Sequence, residues 1–262
     1  MTAIKGTFEF LGTGASMGVP VIGCDCAVCQ SPSLFNKRLR PSALLTIGAK
    51  RILIDCGPDF KQQALRVNLK SLDGVIFTHA HNDHIAGIDD LRTLCKQPGK
   101  LPCLLSKESA SDIQKRFYYV FNDEMIPGKW VTQFDMHFLD SHDGQLSFQD
   151  VPIHYVTYSQ MGMPVNGFRF GDLAYITDIR DYSDTIFETL EGVHTLVVSA
   201  LRFTPSPMHF SIDEAVDFAK RTKAKEIYLT HISHDLDHEK TNAYLPKEVR
   251  LAYDGLRLNL LT

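Results

Sequence analysis

The segment from Leu72 to Leu94 constrains this chain more than any other part of its sequence. Leu72–Phe77 contains the apolar run Val75, Ile76 and Phe77, which predicts a buried strand. Apolar residues then recur at helical spacing from Ile85 to Leu94, which predicts a helix. The polar loop between the two holds four potential metal ligands: His79, His81, Asp83 and His84. The sequence therefore places a ligand cluster at the end of a strand.

The spacing within this loop favours two metal ions over one. His79 and His81 are two residues apart and would project to the same side of an extended segment. Asp83 and His84 follow the turn and can face a second ion beside the first. Imidazole nitrogen suits zinc and other first-row metals, whereas carboxylate oxygen suits harder ions.

Three cysteines lie within six residues and form a second candidate metal centre: Cys24, Cys26 and Cys29. Thiolates are preferred ligands of closed structural zinc sites, which need four protein ligands. A disulfide and free buried thiols are the alternatives. No signal-peptide pattern opens the sequence, so we expect a cytoplasmic location in which thiols stay reduced. Three further cysteines stand among apolar residues and are predicted to be inert core thiols: Cys56, Cys95 and Cys103.

Composition limits the classes of partner. Residues 1–262 can form a single domain, with 44% hydrophobic and 22% charged residues and a net charge of −4. No apolar run approaches the roughly 20 residues that span a bilayer, so no membrane association is expected. Nucleic acid is not an expected partner because no basic stripe is evident. The basic cluster of Lys37, Arg38 and Arg40 is interpreted as a solvated loop face.

The loop from His79 to His84 matches the HxHxDH pattern, so the chain resembles the metallo-β-lactamase superfamily. The resemblance implies an α+β fold, a four-layer αββα sandwich with the metals at one edge. It also implies later ligands. Asp178, after the strand Leu173–Ile176, fits the aspartate that bridges the two metals, and His231, after the strand Glu226–Leu229, fits the last histidine.

Other motifs resemble one subgroup, the phosphodiesterases of the carbon–phosphorus lyase pathway that open phosphoribosyl 1,2-cyclic phosphate. The matching segments are Phe10–Gly14, the three cysteines, Thr230–His234 and Tyr253–Gly255. The resemblance implies His234 as the fourth ligand of a structural zinc, His209 as a general acid and Asp55 as a brace of the metal loop. We assign His209 and Asp83 as the catalytic residues.

The resemblance also implies the cofactors and the substrate class. Two divalent ions, Mn or Zn, would occupy the active site, and one structural Zn would bind the cysteines. Such a pair lowers the pKa of a shared water, so that a bridging hydroxide forms near neutral pH, and it holds phosphoryl oxygens. The implied activity is a phosphodiesterase acting on a small phosphorylated substrate with a cyclic phosphodiester. A homodimer is an assembly that the subgroup allows.

One position departs from the subgroup pattern. Gln160 stands where the pattern has a metal-binding histidine, and a neutral amide oxygen is a weak ligand for a transition metal. His154 lies six residues earlier and is better interpreted as a strand residue. We therefore expect a weakened first metal site, with the second site intact at Asp83, His84, Asp178 and His231.

Two rival functions remain open at this point. Nucleases and thioesterases share the HxHxDH loop, although a transfer-RNA nuclease would need a basic arm that this sequence lacks. Alternatively, the chain is a metal-binding protein without full activity, similar to pyrroloquinoline quinone biosynthesis protein B.

The glycine-rich segment Leu11–Gly18 fails the dinucleotide fingerprint and is interpreted as a turn close to the metal site. Four residues are candidates for lining the substrate pocket: Tyr158, Arg169, Arg180 and Arg202.

Overall fold

The computed structural model describes residues 5–94, 100–121 and 131–262. Its strands form two seven-stranded sheets. The first sheet has the order β14-β1-β2-β3-β4-β5-β6, built from β1 (Lys5–Gly12), β2 (Ser42–Ile47), β3 (Lys50–Ile54), β4 (Gly74–Ile76), β5 (Leu101–Leu105), β6 (Phe134–Phe138) and β14 (Arg257–Leu261). The second has the order β13-β12-β11-β10-β9-β8-β7, built from β7 (Asp143–Phe148), β8 (Val151–Gln160), β9 (Met163–Phe170), β10 (Leu173–Ile176), β11 (Thr195–Ser199), β12 (Glu226–Thr230) and β13 (Val249–Leu251).

Each sheet is half parallel, and this arrangement creates the site. Strands β3 to β6 run parallel in one sheet, and β10 to β13 run parallel in the other. The carboxyl ends of parallel strands meet at one edge of a sheet, which is where open α/β sheets bind ligands. Loops that follow β3, β4, β10 and β12 therefore converge.

Three apolar layers hold the sheets and helices together. The layer between the sheets includes Phe8, Phe10, Tyr155 and Phe168, and their alternation along each strand follows the two-residue period of β-structure. A second layer packs the outer face of the first sheet against helices, and a third does the same for the second sheet. The predicted α+β fold with four αββα layers is confirmed.

The helices are short and cover the outer faces. They are α1 (Ala27–Gln30), α2 (Phe60–Arg66), α3 (Asn82–Ile85), α4 (Lys107–Arg116), α5 (Tyr118–Phe121), α6 (Ile186–Thr189), α7 (Ile212–Thr222) and α8 (His238–Tyr244). A capping box begins α7, as the Ser211 and Glu214 spacing in the sequence indicates: Ser211 Oγ accepts from the Glu214 backbone, and the Glu214 carboxylate accepts from the Ser211 backbone. No helix in the described ranges is long and apolar enough to cross a membrane.

Two local predictions need correction. The helix predicted after the metal loop is divided into α3 and a 3₁₀ segment, Ile88–Thr93, because Gly87 packs its backbone against Cys56 and Gly57. Arg38 is buried, not on a solvated face.

Candidate metal centres

The metal loop is braced from beneath by Asp55, which follows β3. Its carboxylate accepts hydrogen bonds from the Thr78 backbone and hydroxyl, both at 2.8 Å, and lies 2.6 Å from His84 Nδ1. A carboxylate on the far ring nitrogen fixes the imidazole orientation and leaves Nε2 for a ligand. The predicted bracing role of Asp55 is confirmed.

Predicted ligands from distant loops converge above this brace. His79, His81 and Asp178 place ligand atoms within 4.8 Å of one another, and so do Asp83, His84 and His231. Asp178 belongs to the first group and also faces the second, because its two carboxylate oxygens each lie 3.2 Å from an Nε2 atom there, that of His84 and that of His231. This is the geometry of a carboxylate shared between two cations.

Three of the residues at this edge have a left-handed backbone. Asp55, Asp178 and His231 have φ angles of 60°, 54° and 58°. Non-glycine residues in this region cost on the order of 1 kcal/mol each, and such strain gathers at functional sites. The turns direct each side chain back over the strand end.

The polar groups of the cluster are incomplete without cations. Nε2 of His84 and of His231 is buried and has no hydrogen-bond partner among the described residues. Burial alone would raise the pKa of Asp178, but the His231 and His84 imidazoles hold it well below its usual value. Buried carboxylates demand positive charge nearby, and two divalent ions would supply it. The donor set therefore fits the predicted metal pair.

Gln160 and His209 lie beside Asp178. Gln160 Nε2 is 3.3 Å from Asp178 Oδ1 and 3.1 Å from His209 Nδ1, while its buried Oε1 has no hydrogen-bond partner in the part of the chain that the structure describes. His209 stacks on His231 with ring centroids 4.7 Å apart. Burial lowers the pKa of His209 to about 4, so its imidazole is neutral at pH 7. The amide thus stands at the cluster, where an uncharged oxygen is available to a cation.

The four predicted ligands of the cysteine centre also lie close together. The Sγ atoms of Cys24, Cys26 and Cys29 lie 3.3, 3.5 and 3.6 Å from Nδ1 of His234. A tetrahedral ion bonded to sulfur at about 2.3 Å and nitrogen at about 2.0 Å requires S···N separations of about 3.5 Å. A hydrogen bond from the Cys29 backbone lowers the pKa of the Cys26 thiol to about 6. These four residues fit the predicted structural zinc.

Cys56 and Cys103 are free, buried thiols, as predicted, while Cys95 lies outside the described residues. Burial raises the pKa of Cys103 and Cys56 well above the usual thiol value, which disfavours the reactive thiolate and is consistent with the predicted inert role.

Most candidate pocket residues bind other groups of the protein. The Tyr158 hydroxyl is buried and donates to the Thr177 carbonyl. Arg169 donates to the backbone carbonyls of Gly171, Thr189 and Glu191, so it caps chain turns instead of facing a substrate. Arg180 is paired with Glu214 at 2.7 Å.

Two other predicted features are also resolved. Arg202 donates to the Thr204 carbonyl. The glycine-rich turn approaches the backbone of residues 38–40, since a Cβ on Gly12 would lie 1.9 Å from Arg40 O. The turn also lies beside the metal site, because Gly14 forms an isolated β-bridge with Ile232, the residue after His231.

Sequence reasoning missed an open cavity beside the metal loop. It has a volume of about 310 Å³ and lies at the carboxyl ends of β5 and β6. Its lining includes Ser106, Lys107, His142, Thr157 and Asn166. The Asn166 backbone N–H donates to the carbonyl of Thr78, the residue before His79, so the cavity adjoins the metal loop. No local pattern signals it, because its walls come from both sheets.

The fold and the clustered His, Asp and Cys side chains together define the class of this protein. The chain belongs to the metallo-β-lactamase superfamily: the family described as beta-lactamase superfamily domain matches residues 50–232. Within it, the chain is grouped with the PhnP family. A crystal structure of a new diphosphatase from the PhnP family is 38% identical, covers 99% of both chains and has a TM-score of 0.92.

Two curated relatives are similar in sequence. An octanoyltransferase of Porphyromonas gingivalis (strain ATCC BAA-308 / W83) is 36% identical over 251 residues, which cover 94% of this chain and 50% of that protein. Coenzyme PQQ synthesis protein B of Methylorubrum extorquens (strain ATCC 14718 / DSM 1338 / JCM 2805 / NCIMB 9133 / AM1) is 30% identical over 151 residues, 48% of this chain and 50% of that protein. The chain thus spans about half the length of the curated relatives it matches.

Proposed function

We propose that this protein is a metal-dependent phosphodiesterase that hydrolyses a small cyclic phosphodiester. The observation that carries the proposal is the position of Asp178, whose carboxylate faces His84 and His231 at 3.2 Å while its group also includes His79 and His81. A shared carboxylate between two imidazole groups suits a two-cation site, and such sites serve phosphoryl chemistry.

The predicted ligands would hold two divalent ions, Mn or Zn, which when bound would acidify a water molecule and neutralise charge on the phosphoryl oxygens. The chain's own groups supply orientation and proton transfer. Asp55 fixes the His84 ring, and the strained turns at Asp178 and His231 hold their side chains in place. His209, stacked on His231, is neutral at pH 7, so as general acid it would first take up a proton and then pass it to the leaving oxygen.

The cavity beside the metal loop supports a small substrate. Its volume of about 310 Å³ is at the lower end of small-molecule sites, which span roughly 300–1,000 Å³. Its hydroxyl, amide and charged side chains suit a polar organic group attached to the phosphate. A polymeric nucleic acid would need a longer basic surface.

Hydrolysis of bis-p-nitrophenyl phosphate by the Mn- or Zn-loaded protein tests the proposal. We expect activity in the native chain and a loss of at least about 100-fold in kcat for Asp178→Asn, because an amide cannot bridge two cations as a carboxylate does. The exposed Asp184→Asn serves as the matched control and should retain activity.

The same assay separates the rivals. An octanoyl thioester replaces the phosphodiester in a parallel reaction. Hydrolysis of the thioester without hydrolysis of the phosphodiester would replace our proposal with a thioesterase. A protein that binds one ion, held at the cysteines, and turns over neither substrate would instead be a binding protein.

A further inference from the structure

Arg38 is the largest fully buried polar side chain among the described residues, with 1% of its surface exposed. Its guanidinium donates to the Ser233 carbonyl at 2.9 Å, the Leu236 carbonyl at 2.7 Å and Asn36 Oδ1 at 3.0 Å, and Nε donates to the Phe35 carbonyl at 3.2 Å. Burial lowers its pKa only to about 10, so it stays charged at pH 7. A buried charge that binds mainly backbone carbonyls fixes loop geometry.

The carbonyls bound by Arg38 lie around the cysteine centre and close to the catalytic cluster. Ser233 stands between His231, the ligand at the catalytic cluster, and His234, the ligand at the cysteines. Leu236 follows His234 by two residues. The His231–Leu236 segment therefore serves both centres, and the guanidinium holds its middle and its end.

The backbone of Arg38 reaches the cysteine loop as well. Its N–H donates to the Val19 carbonyl at 2.8 Å, and the Val19 N–H donates back to the Arg38 carbonyl at 2.8 Å. Val19 packs with Val28 and Cys29 in a small apolar cluster around the cysteines. One residue thus joins the cysteine loop to the segment that ends the catalytic cluster.

The remaining bonds of the segment leave it little freedom. The Ile232 N–H donates to the Thr13 carbonyl at 2.9 Å, its carbonyl accepts from Ala15 at 3.1 Å, and Ser233 donates to Leu201 at 3.0 Å. A displacement of His234 therefore has to move His231 or break one of these bonds.

We propose that Arg38 is a positioning residue that couples the two metal centres. Through it and the His231–Leu236 segment, an ion held by the cysteines and His234 keeps His231 at the catalytic cluster. Loss of the ion at the cysteines weakens binding of the catalytic ions. The proposal depends on the two centres and not on the reaction, so metal binding without substrate tests it.

Cobalt provides a probe that distinguishes the centres, because thiolate ligands give Co²⁺ an intense near-ultraviolet band that imidazole and carboxylate ligands do not. The native chain is loaded with Co²⁺ and treated, in the presence of a chelator, with p-hydroxymercuribenzoate, which captures the partly exposed thiolates of Cys24 and Cys26. We expect the visible bands of the catalytic cobalt to decay at least about tenfold faster once the thiolate band is lost, a size typical for the loss of supporting groups around a metal.

An unchanged decay of the catalytic bands after loss of the thiolate band would overturn the coupling. Absence of the thiolate band from the cobalt-loaded native chain would overturn it too, since there would be no second centre. The other thiols in the described ranges, Cys56 and Cys103, are buried and do not compete for the reagent.

Arg38 itself is tested by Arg38→Met and Arg38→Lys. We expect the dissociation constant of catalytic Co²⁺ to rise at least about tenfold in Arg38→Met and less in Arg38→Lys, which keeps one charged donor. The control is Arg66→Met, because Arg66 also donates to a backbone carbonyl, that of Leu11, but touches neither centre.

A purely structural role predicts a different pattern, in which both arginine-to-methionine variants lower the unfolding temperature while catalytic Co²⁺ affinity stays at the native value. That pattern would refute the positioning role. If Arg38→Met does not fold, Arg38→Lys and the mercurial experiment decide the question.

Discussion

At the scale of the residue, the site depends on charged and polar side chains that are buried. Asp178 is buried yet stays ionised, because His231 and His84 lie against it. Nε2 of His84 and of His231 has no hydrogen-bond partner within the described ranges. Such groups are costly in a folded protein unless a ligand compensates them. The residue-level cost is therefore the physical signature of a binding site.

Gln160→His tests the departure from the subgroup pattern. We expect tighter binding of the first catalytic ion, because imidazole is a stronger ligand for first-row metals than a neutral amide oxygen. Equilibrium titration with Mn²⁺ or Zn²⁺ measures the change, and exposed Gln145→His is the control. Unchanged metal content and affinity would show that residue 160 is not at a ligand position.

His238 provides a pH test away from the catalytic cluster. Burial and the Arg38 charge, partly opposed by Asp237, lower its pKa to about 4, and its ring stacks on Phe35 and meets the edge of Tyr253. Between that pKa and the ordinary value near 6.5, the unfolded chain binds more protons than the folded chain, so stability rises with pH in this window and levels off above it.

Urea unfolding of the native chain and of His238→Gln at a series of pH values measures this contribution. The difference in unfolding free energy between the two should grow from pH 4 to about pH 6.5 in favour of the native chain. A difference that is constant across this range would show that His238 titrates normally.

At the scale of the element, strand ends and close backbone contacts position the ligands. The chain turns sharply between α3 and the 3₁₀ segment because Gly87 lets its backbone approach the residues that follow β3: Gly87 N donates to the Cys56 carbonyl at 2.8 Å. His84 O in turn accepts from Cys56 N at 2.7 Å. The metal loop and the segment after Asp55 are thus built as one unit.

Gly87→Ala should disturb this unit, because the new Cβ would lie 2.3 Å from the Gly57 carbonyl oxygen. Overpacking of this kind costs about 1–3 kcal/mol, and we also expect weaker binding of the ion held by Asp83 and His84. Denaturant unfolding and metal titration measure the two effects. Gly144→Ala is the control, since its Cβ meets only the Tyr155 hydroxyl end; equal effects on metal binding in both variants would contradict the expectation.

At the scale of the whole molecule, two sheets bring together ligands that are far apart in sequence. Asp83 and His84 come from the first sheet, whereas Asp178 and His231 come from the second. The apolar layer between the sheets keeps these halves in register. Any ion bound across this edge links the two halves of the sandwich.

Metal removal should therefore lower the stability of the entire molecule. Ions present at about 1,000 times their dissociation constant contribute about 4 kcal/mol, which corresponds to a fall in Tm on the order of 10 °C after chelation. Circular dichroism melts of loaded and chelated protein measure it. The Asp178→Asn variant should respond less, and an unchanged native Tm would show that no ion spans the sheets.

The sequence alone determined much of this description. The HxHxDH loop lies between an apolar strand and helical spacing, so the local pattern was enough to predict the ligand cluster and, through its resemblance, the αββα fold. The Ser211 capping box was predictable because it depends on residues only three apart. Asp55 was also placed correctly, since it ends a strand neighbouring the loop.

The tertiary structure alone decided the rest, because those features depend on contacts between distant segments. Arg38 looked like part of a basic surface cluster, yet the carbonyls that bury it come from residues 233 and 236. Arg169 and Tyr158 were candidates for lining the pocket, but they bind backbone carbonyls of Gly171 and Thr177, which lie just outside the strand β10. The cavity beside the metal loop is walled by both sheets. The local sequence determines which chemical groups a residue offers, whereas the tertiary structure determines how far those groups are buried and which partners they bind.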